Sequence, residues 1–161
     1  DLVAETKDNP VSDPESLRGR IEVPEPEVAE DAEGELDIDA FKVAALDDAG
    51  DGIIAIDRQG IIKVWNAHCE KLFGWTAEQV IGQDVKIFIP EHLRAAHDRG
   101  FFAAMESGHL RSDGSARRTK ALTPTGGAVY VEMTFAVVKG GSDQAIGAVA
   151  VARHWDREKN A

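Results

Sequence analysis

The segment "AVYVEMTFAVV" (residues 128–138) constrains this chain more than any other. Val129, Val131, Met133, Phe135 and Val137 alternate with Tyr130, Glu132, Thr134 and Ala136. A β-strand sends successive side chains to opposite faces, so one face of this segment is apolar and the other is mixed. An apolar sheet face must be covered by a second layer. The rest of the chain therefore has to supply partner strands and a cover.

Four further strands can be read. Ile53–Ile56 and Ile61–Trp65 flank "DRQG", a hairpin signal in which Gly60 can take positive φ. "RRTKALT" (117–123) precedes the alternating segment across "PTGG", and "AIGAVAVARHW" (145–155) follows it across "KGGSD". Helical signals fill the middle. Asn66 can cap "AHCEKLFG", and Thr76 can cap "AEQVIG". "IPEHLRAAHDRGFFAAMESG" (89–108) reads as one long amphipathic helix, with Pro90 and Glu91 at its start and Gly108 as its stop. Gly100 weakens its interior, or marks a kink or a close approach. Strand, strand, helices and three strands predict an α+β fold: a five-stranded antiparallel sheet with helices packed over one face. The helical insert can roof a pocket.

Charge divides the chain. The net charge is −11 over 161 residues, and residues 1–39 hold 14 acidic and 3 basic side chains. The remainder balances at 15 of each sign. Residues 1–37 are thus expected to be an acidic, disordered leader, because this stretch has no aromatic residue and cannot offset its ordering entropy by burial. Residues 38–50 form a short flanking helix, residues 51–157 the folded domain, and 158–161 a tail. One cysteine, Cys69, excludes an internal disulfide and a multi-cysteine metal site. No apolar run is long enough to span a membrane and no intact signal peptide is seen, so a cytoplasmic protein is expected. Balanced charge without a basic patch argues against nucleic acid. No nucleophile–base set, phosphate-cradling glycine loop or paired-carboxylate motif is present, so no enzyme is expected.

The long helix carries the candidate site. Leu93, His97, Phe101 and Met105 recur every four residues and share a stripe. His97 there has three readings from its residue type alone: a core or boundary histidine with a partner, a ligand to a metal or cofactor iron, or a pH-sensitive or ligand-contacting group. A planar cofactor that brings four ligands of its own needs only one histidine.

Residues 51–157 resemble a PAS domain. The landmarks are the glycine-ended strand pair, then Asn66, Ala67, Phe73, Gly74 and Trp75, then Glu78 and Gly82. Within that family, "IPEHLRAAHDRG" resembles the haem-binding oxygen sensors of rhizobial-type histidine kinases, on Pro90, Glu91, Arg94, His97 and Asp98. The resemblance implies haem b, with His97 as the iron ligand between Leu93 and Phe101. It implies Arg117 beside the bound gas and a propionate, with Arg118 its neighbour, and Met133 and Phe135 as distal apolar contacts. The expected function is a haem-based gas or redox sensor module in signal transduction. Its expected partners are a diatomic gas, a second copy of the chain and an output domain or protein. The alternatives are a cofactor-free PAS interaction or dimerisation module, or a PAS sensor of another small ligand. Flavin-binding relatives carry an adduct-forming cysteine where this chain has "GQDVKIFIP", so flavin photochemistry is not expected.

Overall fold

The computed structural model describes residues 34–160 except Asp113. The expected disordered leader lies almost entirely outside the described residues. The first element is α1 (Ile38–Asp47), capped by Asp37, whose carboxylate accepts from the amides of Asp39 and Ala40. Then come β1 (Gly52–Asp57) and β2 (Ile62–Trp65), α2 (Ala67–Phe73) and α3 (Ala77–Val80). A 3-10 turn (Val85–Phe88) leads into α4 (Glu91–Ser107), and β3 (Arg117–Leu122), β4 (Ala128–Lys139) and β5 (Ala145–His154) complete the chain.

The five strands form one sheet in the order β2-β1-β5-β4-β3, with every neighbouring pair antiparallel. The last strand thus lies at the centre, between the N-terminal hairpin and β4. Gly147 makes this possible: a Cβ there would stand 2.1 Å from the carbonyl oxygen of Ile56. Only glycine lets β5 approach β1 so closely.

Register confirms the alternation. Met133 faces Ala152, Phe135 faces Ala150 and Val137 faces Ala148, while Ala150 also faces Ile54 across β1. Residues paired in this way share a face. The alanines of β5 leave room for larger neighbours, and α2, the 3-10 turn and α4 cover that inner face. The main core is a tilted aromatic cluster of Trp65, Phe73 and Phe88, with ring centroids 5.2–5.5 Å apart. Ile62, Val80, Val131 and Met133 complete it. A second, smaller core holds the C-terminal half of α4 to the sheet through Phe101, Ala104, Met105, Ala145 and Ala148.

Helix ends follow the capping chemistry. Asn66 caps α2, and Thr76 and Gln79 close a reciprocal capping box on α3. Pro90 stands just before α4 rather than inside its first turn, and Gly108 ends the helix in the left-handed conformation at φ 75°. No helix among the described residues is long and apolar enough to cross a membrane.

Candidate functional site

Burial along α4 is graded. Phe101, Ala104 and Met105 are buried, whereas Leu93, Arg94, His97 and Asp98 are half-buried. The stripe read from the sequence therefore exists, but only its second half is core. His97 stacks on Phe101, with ring centroids 6.0 Å apart and planes 12° from parallel.

The Nδ1 of His97 is shielded from solvent and has no hydrogen-bond partner. An Asp98 carboxylate oxygen lies 3.6 Å away, too long for a hydrogen bond. The other carboxylate oxygen of Asp98 accepts from Lys86 at 3.0 Å, and Lys86 also stands 3.7 Å from Asp84. That ammonium holds Asp98 below the ordinary carboxylate range. Burial pushes the His97 imidazole below its usual value, and the nearby carboxylates of Asp98 and Asp84 oppose that shift only in part. His97 is therefore a desolvated, weakly basic imidazole.

The other expected site residues do not converge on it as one pocket. Met133 is buried in the main core, Phe135 packs beside it, and Phe101 belongs to the second core. Arg117 pairs with Met133 in register but is exposed at the edge strand. Arg118 turns to the opposite face, where it donates to Glu132 at 3.1 Å and lies 4.7 Å over the Trp155 ring. Alternation along β3 requires this split, because adjacent residues cannot share a face. His109 and His154 are exposed and His68 is half-buried. Cys69 is buried, and desolvation pushes its thiol up to about 12.

His97 lines neither of two surface concavities among the described residues. An open groove of about 510 Å³ runs between α2 and the β3–β4 turn, past Lys71, Gly74, Gln79 and Pro124. A smaller one of about 200 Å³ lies at the C-terminal end of α4, beside Arg58, Met105 and Asp143.

Sequence reasoning identified Asn66 as a cap but missed its wider role. Its side-chain oxygen accepts from Ile53 and Cys69, and its amide donates to the carbonyls of Leu46 and Asp51 at 2.8 and 3.0 Å. Asn66 thus ties the end of α1 to β1 and α2 through a fully satisfied polar hub. Apart from the local cap on Cys69, these bonds span 13 to 20 residues along the chain and leave no local signal.

The PAS fold family matches residues 40–154. This chain belongs to the PAS family. Sensor protein FixL of Bradyrhizobium diazoefficiens is 46% identical over 48 residues, which are 30% of this chain and 10% of FixL. Oxygen sensor protein DosP of Escherichia coli is 27% identical over 110 residues, 61% of this chain and 14% of DosP. The chain thus spans only a small part of these relatives. Among solved structures, a PAS domain from Colwellia psychrerythraea is 27% identical with a TM-score of 0.63, covering 74% of this chain and 98% of that one. Several light-oxygen-voltage structures share the architecture at 13–17% identity. One is described through its flavin analogue. At that identity the likeness shows the fold alone. The chain is a PAS-fold sensory domain related to the FixL type.

The haem expectation is corrected by these findings, and with it the iron at His97, the diatomic gas and the oxygen-sensor role. No group of three or more His, Cys, Asp or Glu side chains among the described residues is placed to hold a metal. A single histidine would suffice for a macrocycle, so space matters as much. Here Phe101 and Met133, expected to contact the cofactor, are buried in the two cores, and Phe135 packs against the main one. Arg117, expected beside a propionate, is exposed on the edge strand, and its neighbour Arg118 turns to the opposite face toward Glu132. Several solved structures that share this fold are of the light-oxygen-voltage type. Resemblance in the helix motif transferred a cofactor that the packing does not accommodate.

Proposed function

We propose that this PAS domain works as a protein-interaction module that pairs with a second copy of the chain through α1. The observation that carries this reading is the surface of α1 itself. Leu36, Ile38, Phe41, Val43 and Leu46 are 40–68% exposed, and the helix buries no residue of its own. A ten-residue helix is marginal in water without a packing partner. Yet its C-terminal end is fixed: Asn66 binds the Leu46 carbonyl and the Asp47 carboxylate accepts from the amide of Ala67. A helix held at one end with four large apolar side chains outward, and Leu36 just before it, is a surface built for contact.

The test is the oligomeric state of the 161-residue chain by sedimentation. The wild type is expected to be a dimer at micromolar concentration. Phe41→Glu with Val43→Glu is expected to be a monomer with unchanged near-ultraviolet circular dichroism. A monomeric wild type removes the proposal.

A second reading rests on a different observation, the partnerless Nδ1 of His97. A small organic molecule with one polar group would satisfy that nitrogen and lay its apolar part along Leu93 and Phe101. Fragment screening by NMR would show amide shifts grouped on Leu93, His97 and Phe101. Shifts grouped elsewhere, or none, remove this reading.

A further inference from the structure

One patch lies apart from α4 and from α1. On the outer face of the sheet, beyond the end of β5, Tyr130 and Trp155 meet edge to face at 6.2 Å. Three cations rest on them, and Arg153 lies two residues before Trp155 on the chain. Arg118 lies 4.7 Å over Trp155, and Lys120 and Arg157 lie 5.8 and 5.6 Å over Tyr130. Arg157 also donates to the Tyr130 hydroxyl at 3.2 Å, and Arg153 reaches Asp51 at 2.7 Å. Glu132 and Asp51 are the carboxylates bonded to Arg118 and Arg153. Lys120 and Arg157 rest on aromatic faces with no carboxylate against them among the described residues. The Trp155 indole N–H is shielded and has no acceptor.

Lys120 and Arg157 are thus the cations of the patch left without a carboxylate among the described residues. A cation over an aromatic ring keeps its remaining donors free, and a shielded indole N–H favours an acceptor over none. The chain itself carries a complementary segment. Between Ile21 and Glu33 there are six carboxylates and no cation, and Pro24 and Pro26 alternate with Glu25 and Glu27. Proline favours extended backbone, and extended proline-containing segments dock on aromatic-lined surfaces.

Reach is sufficient. The chain leaving α1 runs toward the patch, because Asp51, four residues on from Asp47, is the partner of Arg153, two residues before Trp155. A ten-residue helix returns the chain only about 15 Å from there. Thirteen extended residues span up to about 45 Å. We propose that the acidic run Ile21–Glu33 of the same chain is the ligand of the Tyr130–Trp155 patch, with its carboxylates on Lys120 and Arg157. Such docking covers the exit of β5, the route from the centre of the sheet to whatever follows. The inference is independent of pairing through α1.

The test uses the 161-residue chain and the indole N–H resonance of Trp155, assigned with Trp155→Phe. In low salt, neutralising Glu22, Glu25, Glu27 and Glu30 to Gln, Asp31 to Asn and Glu33 to Gln is expected to shift that resonance and those of the Lys120 and Tyr130 amides. Raising the salt about tenfold is expected to move the wild type to the same positions, since screening weakens exposed charge pairs. Lys120→Glu with Arg157→Glu, both exposed, should abolish the salt-dependent shift. Coincident low-salt spectra of the wild type and the neutralised variant would overturn the proposal. Shifts that disappear on dilution would also overturn it, because they would assign the ligand to a second copy.

Discussion

The two ends of the inner sheet face are packed to different standards. Around α2, Phe73, Ile62, Val80, Val131 and Cys69 are fully buried, and even Asn66 is only 2% exposed with all its polar atoms used. Along the first turns of α4, Leu93 and His97 are half-buried, Ala95, Ala96 and Gly100 face solvent, and one imidazole nitrogen has no partner. The same apolar helix pattern thus yields a close-packed core at one end and a loosely seated cover at the other. A stripe of apolar residues tells which side of a helix turns inward. How tightly that side is held depends on the size of what it meets. The facing residues of β5, Ala145 and Ala148, are small and are reached only by the last turns of α4.

Paired truncations test this difference most strongly. Phe73→Ala is expected to cost about 3–5 kcal/mol, as for a close-packed aromatic residue. Leu93→Ala is expected to cost about 1 kcal/mol, because a half-buried leucine gains only part of its full burial energy. Urea denaturation of both variants measures the gap. Equal losses would mean that the start of α4 is as firmly packed as α2.

The pH dependence of stability sharpens the same contrast. Burial holds the His97 imidazole below its ordinary value of 6.5 in the folded chain. The unfolded chain therefore binds the proton more readily, and stability attached to neutral His97 is full above that value. It is lost as pH falls below about 6.5 and stops falling once the folded imidazole is itself protonated. Asp98 and Asp84 face the ring and moderate the effect, while Lys86 adds to it. His97→Gln cannot titrate. Its stability difference between about pH 5 and pH 7.5 is expected to be smaller than that of the wild type. An unchanged pH profile would mean that His97 is hydrated and the seat of α4 is wet.

Much of this fold was legible because its signals are local. The period of two in Val129–Val137, the caps Asn66 and Thr76, and the stop at Gly108 each depend on a few neighbouring residues, and each stands where the sequence places it. The 3-10 turn at Val85–Phe88 was not read, since its Asp84 cap is embedded in a short apolar run with no period. The site was less legible. His97 lies on the expected stripe, but a motif reports residue types, whereas cofactor space depends on whether Met133 and Phe135 leave a slot or fill a core. The split of Arg117 and Arg118 between the two faces was implicit in the strand alternation. The Tyr130–Trp155 patch draws on β3, β4 and the end of β5, a conjunction that only the register brings together.

The smallest expected effect tests the exposed side of α4. Gly100 sits in the helix interior with an ordinary backbone conformation, since it is not among the glycines at positive φ. A Cβ added there meets no atom within 4 Å. The close approach that the sequence allowed at this position is therefore not made, and the glycine only carries its entropic cost. Gly100→Ala is expected to raise stability by up to about 1 kcal/mol, seen as a higher urea midpoint with an unchanged slope. If α4 moves against another surface when the chain pairs or binds, the added methyl group would meet that surface. The gain would then shrink as protein concentration rises, although the isolated fold has open space there. A gain that is the same at low and high concentration would leave this side of α4 facing water and confine the contact surface to α1.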